Sequence, residues 1–136
     1  MKRRINAEDA PPAIGPYSQA VEAGGFVFCS GQIPLDKTGA MVDGGIEQQT
    51  RRVLTNISSV LLAAGLSMSD VVKTTVFMRD LSHFAEMNAV YQEFFASEPP
   101  ARTTVEVSSL PKGALVEIDA VAARAAPRPK GESSNA

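Results

Sequence analysis

Residues 100–123 read PPARTTVEVSSLPKGALVEIDAVA: two runs of alternating side chains, each carrying one strong charge where a strand is expected to be apolar or covered. Side chains along a strand point to opposite faces in turn. Thr103, Val105 and Val107 therefore share one face of the first run, with Arg102 and Thr104 on the other. In the second run Val116, Ile118, Ala120 and Ala122 share a face and Glu117 points away. The expectation is a sheet with an arginine and a carboxylate on one side. They are either a structural ion pair or two halves of a small polar site.

The rest of the chain supplies the partners for such a sheet. Residues 1–12 are polar and proline-rich and read as an N-terminal arm or coil. Residues 17–22 and 26–30 flank Gly24-Gly25, a tight-hairpin signal because both turn positions can take positive φ. Residues 34–45 read as a loop. From Ile46 the period lengthens: Ile46, Thr50, Val53, Ile57, Val60, Leu61 and Ala64 fall at helical spacing, and Gly65 with Leu66 marks the stop. Residues 71–79 (VVKTTVFMR) are rich in β-branched side chains and predict a strand. A second helix is expected over 82–96, with Phe84, Met87, Tyr91, Phe94 and Phe95 on its apolar stripe and Pro99-Pro100 beyond it. Residues 125–136 show no period and read as a disordered tail. The order hairpin, helix, strand, helix, strand, strand predicts an α+β domain over 1–124, with two helices on one face of a mixed sheet. The other face, expected to hold Arg102, Thr104 and Glu117 beside apolar residues such as Leu115 and Val121, invites subunit association.

Composition narrows the function classes. The chain has 136 residues, 44% hydrophobic and 21% charged, with a net charge of −2. No basic block precedes the last dozen residues, so binding through nucleic-acid phosphates is not expected. One cysteine allows no internal disulfide and fits a reducing compartment. The basic N-terminus is not followed by an apolar run, and no stretch reaches the length of a membrane span. A cytoplasmic location with no membrane partner is the expectation.

Several side chains are candidates for chemistry. Arg102 has the planar fork that captures carboxylates, or it pairs with Glu117 or Glu106. Glu117 is a candidate general acid or base, and Asp119 shares its face, so spacing does not choose between them. Asn88 lies on or beside the apolar stripe, where its amide must find partners. Ser30-Gly31 ends a strand and offers a hydroxyl and close backbone approach, or an ordinary turn. Tyr17 follows Gly15-Pro16 and closes a pocket or an interface. Against these, His83 is the only histidine, so a histidine-based triad or ribonuclease has little support. Cys29 reads as a packed thiol. No metal-ligand spacing, GxGxxG or phosphate-binding loop is present, so neither metal nor cofactor is expected.

The strings IGPYSQAV (14–21), SGQIPLD (30–36), VVKTTVFMRDLSHFAEMNAVYQEFF (71–95) and PPARTTVEVSSLPKGALVEIDAVA (100–123) resemble the RidA/YjgF family of reactive intermediate deaminases, from about Ala10 to Arg124. The resemblance implies a chorismate-mutase-like fold, a homotrimer and active sites in the clefts between subunits. It also implies cofactor-independent hydrolysis of enamine or imine intermediates, such as 2-aminoacrylate to pyruvate and ammonia, a 2-iminobutanoate/2-iminopropanoate deaminase activity. Carried over by motif, Arg102 clamps the substrate carboxylate and Glu117, rather than Asp119, activates water. Tyr17, Ser30, Gly31, Asn88 and Thr104 complete the substrate pocket. Many members have cysteine where this chain has Thr104. Rival readings are a trimer that binds small carboxylates such as 2-oxo acids without turnover, an endoribonuclease or translation inhibitor, a purely structural or chaperone-like trimer, and a deaminase for a bulkier enamine.

Overall fold

The computed structural model describes residues 1–125, and in it six strands form one sheet with two helices on a single face. The strands are β1 (Arg3–Ile5), β2 (Ala20–Ala23), β3 (Phe26–Gln32), β4 (Val71–Met78), β5 (Ala101–Glu106) and β6 (Val116–Ala123). Helix α1 spans Ile46–Ala63 and α2 spans Phe84–Phe94. The sheet order is β1-β2-β3-β6-β4-β5, with β4 and β5 parallel and every other neighbour antiparallel. This is the α+β arrangement that the element order predicts, and the chorismate-mutase-like fold that the family resemblance implies.

Local chemistry explains most of the boundaries. Gly24 and Gly25 take φ of 59° and 82°, which closes the β2–β3 hairpin with a twist that matches its strands. Helix α1 ends where the Leu66 N–H returns to the Leu61 carbonyl at 2.8 Å and Leu66 is buried beneath the turn. Its apolar stripe, with Val53, Leu54, Ile57, Val60 and Leu61 fully buried, packs on β3 and β6, whose inward residues Val27, Val116, Ile118 and Ala122 are equally enclosed. The second helix is shorter than expected. A 3-10 turn over Leu81–His83 precedes it, opened by the Asp80 carboxylate accepting the Ser82 N–H at 2.9 Å.

Two boundary expectations are corrected. The arm expected over residues 1–12 contains β1, whose Ile5 faces Ala20 and is buried with Ala7 and Ala10. A strand of three residues in so polar a stretch leaves little periodicity to detect. It is fixed instead by Glu22, which accepts Arg3 at 2.7 Å and Arg124 at 2.8 Å. Arg124 and then Arg3 hold that carboxyl down at about 2, so the anchor persists until pH falls toward that value. The first hairpin strand begins at Ala20 rather than Tyr17, because Gly15-Pro16 bends the chain and Tyr17 sits in the loop before it. Of the expected tail over 125–136, only Ala125 is among the described residues.

Candidate active site

The pairing register decides where the two charges go. Arg102 on β5 lies opposite Thr74 on β4, and Thr74 lies opposite Ala120, one of the buried helix-side residues of β6. Glu117 lies opposite Phe77, which pairs in turn with Val105. Paired residues share a face. Arg102 and Thr104 therefore turn toward the helices, and Glu117 turns toward the open face. This corrects the expectation of a single face bearing both. The alternation within each strand is as expected; what fails is the assumption that the more apolar set of β5 must face the helices. Thr103 and Val105 face away instead, because the surface that α2 presents here is built to hold a guanidinium.

That surface consists of Phe84, Asn88 and Tyr91, spaced four and three residues apart along one side of α2. The Arg102 guanidinium carbon sits 4.7 Å from the Tyr91 ring centroid and 5.3 Å from that of Phe84. Its Nη1 donates to Asn88 Oδ1 at 2.7 Å. Tyr91 is fixed in turn by a 2.7 Å hydrogen bond between its hydroxyl and that of Thr74. Among the described residues no carboxylate pairs with Arg102. Glu106, one expected partner, accepts the Leu81 N–H at 2.9 Å. Glu117, the other, is on the opposite face. A charged fork stacked between rings and held by one neutral amide still has donors available for a carboxylate. Thr104, two residues on, faces the same way, and its buried Oγ1 has no hydrogen-bond partner.

The second cluster lies across the sheet. Between Cys29 and Gln32 strand β3 advances three residues while β6 advances two, from Ala120 to Ile118. The extra residue is a bulge at Ser30-Gly31, the device by which strands commonly re-aim groups beside a site. Ser30 Oγ donates to the Ser18 carbonyl at 2.6 Å. At Gly31 a Cβ would overlap Oε2 of Glu117, so only glycine lets the carboxylate lie against the strand. Burial, and secondarily the neighbouring Asp119, hold the Glu117 carboxyl above its ordinary range. Among the described residues no hydrogen-bond donor reaches it, whereas Asp119 accepts the Thr75 N–H at 3.0 Å and is engaged in the sheet. The structure thus separates two acids that spacing could not.

Glu117, Ser30, Gly31 and Tyr17 share a cavity of about 540 Å³, whose other walls are mostly apolar, including Pro12, Ile14, Ile33 and Leu35. The Ile33–Leu35 wall is pinned from behind by Asn56, whose Nδ2 donates to the Leu35 carbonyl at 2.8 Å. The seven expected site residues therefore fall into two groups, Arg102, Asn88 and Thr104 in one and Tyr17, Ser30, Gly31 and Glu117 in the other. Sequence reading missed Phe84 and Tyr91, taken there only as core stripe. Their signal was the placement of Asn88 on the same helix side as both rings. Cys29 is buried, and its thiol is pushed up to about 12 by burial and then by Asp119, which fits packing rather than nucleophilic attack. Among the described residues no three His, Cys, Asp or Glu side chains come together as a metal site requires. No helix among them is long and apolar enough to cross a membrane.

The fold, a mixed sheet covered on one face by two helices, is shared with known proteins. The family model described as Endoribonuclease L-PSP matches residues 7–124, and the chain belongs to this RidA/YjgF family. It is 56% identical over 123 residues to the RutC family protein PH0854 of Pyrococcus horikoshii, covering 90% of this chain and 98% of that one. It is 48% identical over 128 residues to the 2-iminobutanoate/2-iminopropanoate deaminase of Salmonella typhimurium, covering 91% and 99%. Among solved structures, that of E. coli TdcF with bound serine superposes with a TM-score of 0.86 at 43% identity, covering 90% of this chain and 99% of that one.

Proposed function

We propose that the chain is a cofactor-independent hydrolase of small enamines and imines bearing a carboxylate, acting on 2-aminoacrylate and its homologues in active sites shared between subunits of a homotrimer. The observation that carries this reading is the division of the site. A guanidinium with free donors and a carboxyl with raised proton affinity lie on opposite faces of one sheet, each lacking what the other supplies. Family membership and the likeness to a named deaminase support this reaction class. The open sheet face supports association, with Phe26 and Phe28 43% and 44% exposed and their rings 6.3 Å apart.

In this mechanism Arg102 binds the substrate carboxylate through its remaining N–H donors and orients the reacting carbon toward Glu117 of a neighbouring copy. Protonation of the enamine at its terminal carbon gives an iminium. Glu117 accepts a proton from water as the water oxygen bonds to the iminium carbon and returns it to nitrogen. The C–N bond then breaks as the new hydroxyl becomes the carbonyl and releases its proton to solvent, replacing the one taken up at the terminal carbon. Enamine and water become the 2-oxo acid and ammonia, with no redox change. Ser30, Gly31 and Tyr17 shape the water side, and Asn88 and Thr104 the carboxylate side. The test is to generate 2-aminoacrylate from serine with a pyridoxal-phosphate dehydratase and follow pyruvate. The protein is expected to accelerate release; unchanged release, with binding of pyruvate intact, favours the small-carboxylate sensor instead.

The contact between Gly31 and Glu117 gives a sharper expectation. The Gly31 backbone lies outside the left-handed region, so alanine fits the chain but displaces the carboxylate. Gly31→Ala is expected to keep a near-parent Tm while losing turnover about tenfold or more. A folded Gly31→Ala protein with parent turnover contradicts the placement of Glu117 in the reaction.

A further inference from the structure

We propose that Gln19 is a positioning residue that fixes the apolar wall of the cavity and so determines how well the site accepts substrates with long side chains. The inference rests on the deaminase reading and deepens it. Gln19 is 3% exposed, and its side-chain amide is fully engaged. Oε1 accepts the Ala7 N–H at 2.6 Å, and Nε2 donates to the carbonyls of Ala7 at 3.1 Å and Pro11 at 2.8 Å. The Gln19 carbonyl accepts the Ser30 N–H at 2.9 Å. One residue thus joins the segment that becomes the wall to the bulge against which Glu117 rests. Among the described residues, Gln19 is the only side chain that hydrogen-bonds residues 7–13. Pro11, Pro12 and Ala13 of that segment line the cavity together with Ile14 just beyond it, whose N–H donates to the Tyr17 hydroxyl at 3.4 Å.

The geometry separates two kinds of substrate. One held by its carboxylate on Arg102 and attacked beside Glu117 has its reacting carbon fixed by those two groups alone. A short side chain ends before the wall, whereas a branched aliphatic one needs apolar surface to lie against. Loss of Gln19 frees the wall without touching either reacting group, so the penalty falls on the longer substrate and on KM more than kcat. A residue that served only folding would depress both substrates alike.

The test uses the full-length protein, Gln19→Met, which keeps side-chain length and removes all three side-chain hydrogen bonds, and Ile14→Ala. Ile14 is 66% exposed, so the second variant alters the wall without burdening the fold. Calorimetry measures affinity for pyruvate and for 4-methyl-2-oxopentanoate, and kcat/KM is measured on 2-aminoacrylate and on the imine formed from leucine by an amino-acid oxidase. Both variants are expected to lose about tenfold on the branched ligand and less than about twofold on the short one. Equal losses on the two ligands, or a lowered Tm with an unchanged ratio, overturn the inference. A parent that binds both oxo acids yet turns over neither imine contradicts the deaminase reading, and the affinity ratio still decides the role of Gln19. A parent that binds neither overturns both.

Discussion

Arg102→Ala is expected to lower kcat/KM on 2-aminoacrylate by about a hundredfold to ten-thousandfold, the loss that follows when two charge-assisted hydrogen bonds of about 1.5–3 kcal/mol each disappear. Arg102→Lys recovers little of it. The ammonium of lysine cannot offer a fork, and it does not stack in the space between Phe84 and Tyr91 as a plane does. Phe84, 38% exposed, is the replaceable half of that cradle. Tyr91 is buried and tied to Thr74, so its substitution disturbs the core as well. Steady-state kinetics on the two arginine variants checks this directly. Parent-like turnover by Arg102→Ala removes the carboxylate clamp from the account.

Glu117→Gln is expected to lower turnover by about a hundredfold or more while leaving pyruvate affinity near the parent value, because the amide keeps the shape of the side chain and cannot accept a proton from water. In the parent, kcat/KM climbs as pH rises through the elevated value of the Glu117 carboxyl and levels off above it; in Glu117→Gln that limb is missing. Stability moves the other way. The folded chain holds this proton more tightly than the unfolded chain, so the benefit present below the ordinary carboxylate range is lost as pH rises through the elevated value. At neutral pH the ionised side chain is therefore a burden on the fold. Glu117→Gln is expected to melt slightly above the parent, by about a degree or two after allowing for the water that reaches the half-buried group. An inactive variant that is also more stable distinguishes a functional carboxylate from a structural one. A variant that melts well below the parent contradicts that assignment.

These two residues also show what a sequence can and cannot convey. Both were visible as charges inside alternating runs, and the runs are strands: β5 and β6 lie where the alternation puts them. Gly24-Gly25 marked its hairpin and Gly65-Leu66 its helix end because turns and caps are local, and their chemistry is written in adjacent residues. The relative facing of Arg102 and Glu117 is not local. It depends on β5 joining the sheet through β4, parallel and with Arg102 beside Thr74, a register set by the whole β4–α2–β5 crossover. The bulge at Ser30-Gly31 was equally hidden, since an extra residue in one strand is defined only against its partner. Strand β1 is too short to show a period, and the role of Gln19 depends on a chain segment that folds back from twelve residues earlier. Asn88 was legible as an anomaly, although its partner was not.

The central claim, that Arg102 and Glu117 act together only across a seam between copies, is tested most directly by subunit mixing. Arg102→Ala and Glu117→Gln chains, each inactive alone, are unfolded together in equal amounts and reassembled, and pyruvate release from 2-aminoacrylate is followed. Each mixed trimer then carries one seam with both residues intact, so random assembly is expected to restore about a quarter of the parent rate. No recovery, with native mass spectrometry showing that mixed trimers formed, contradicts the shared site.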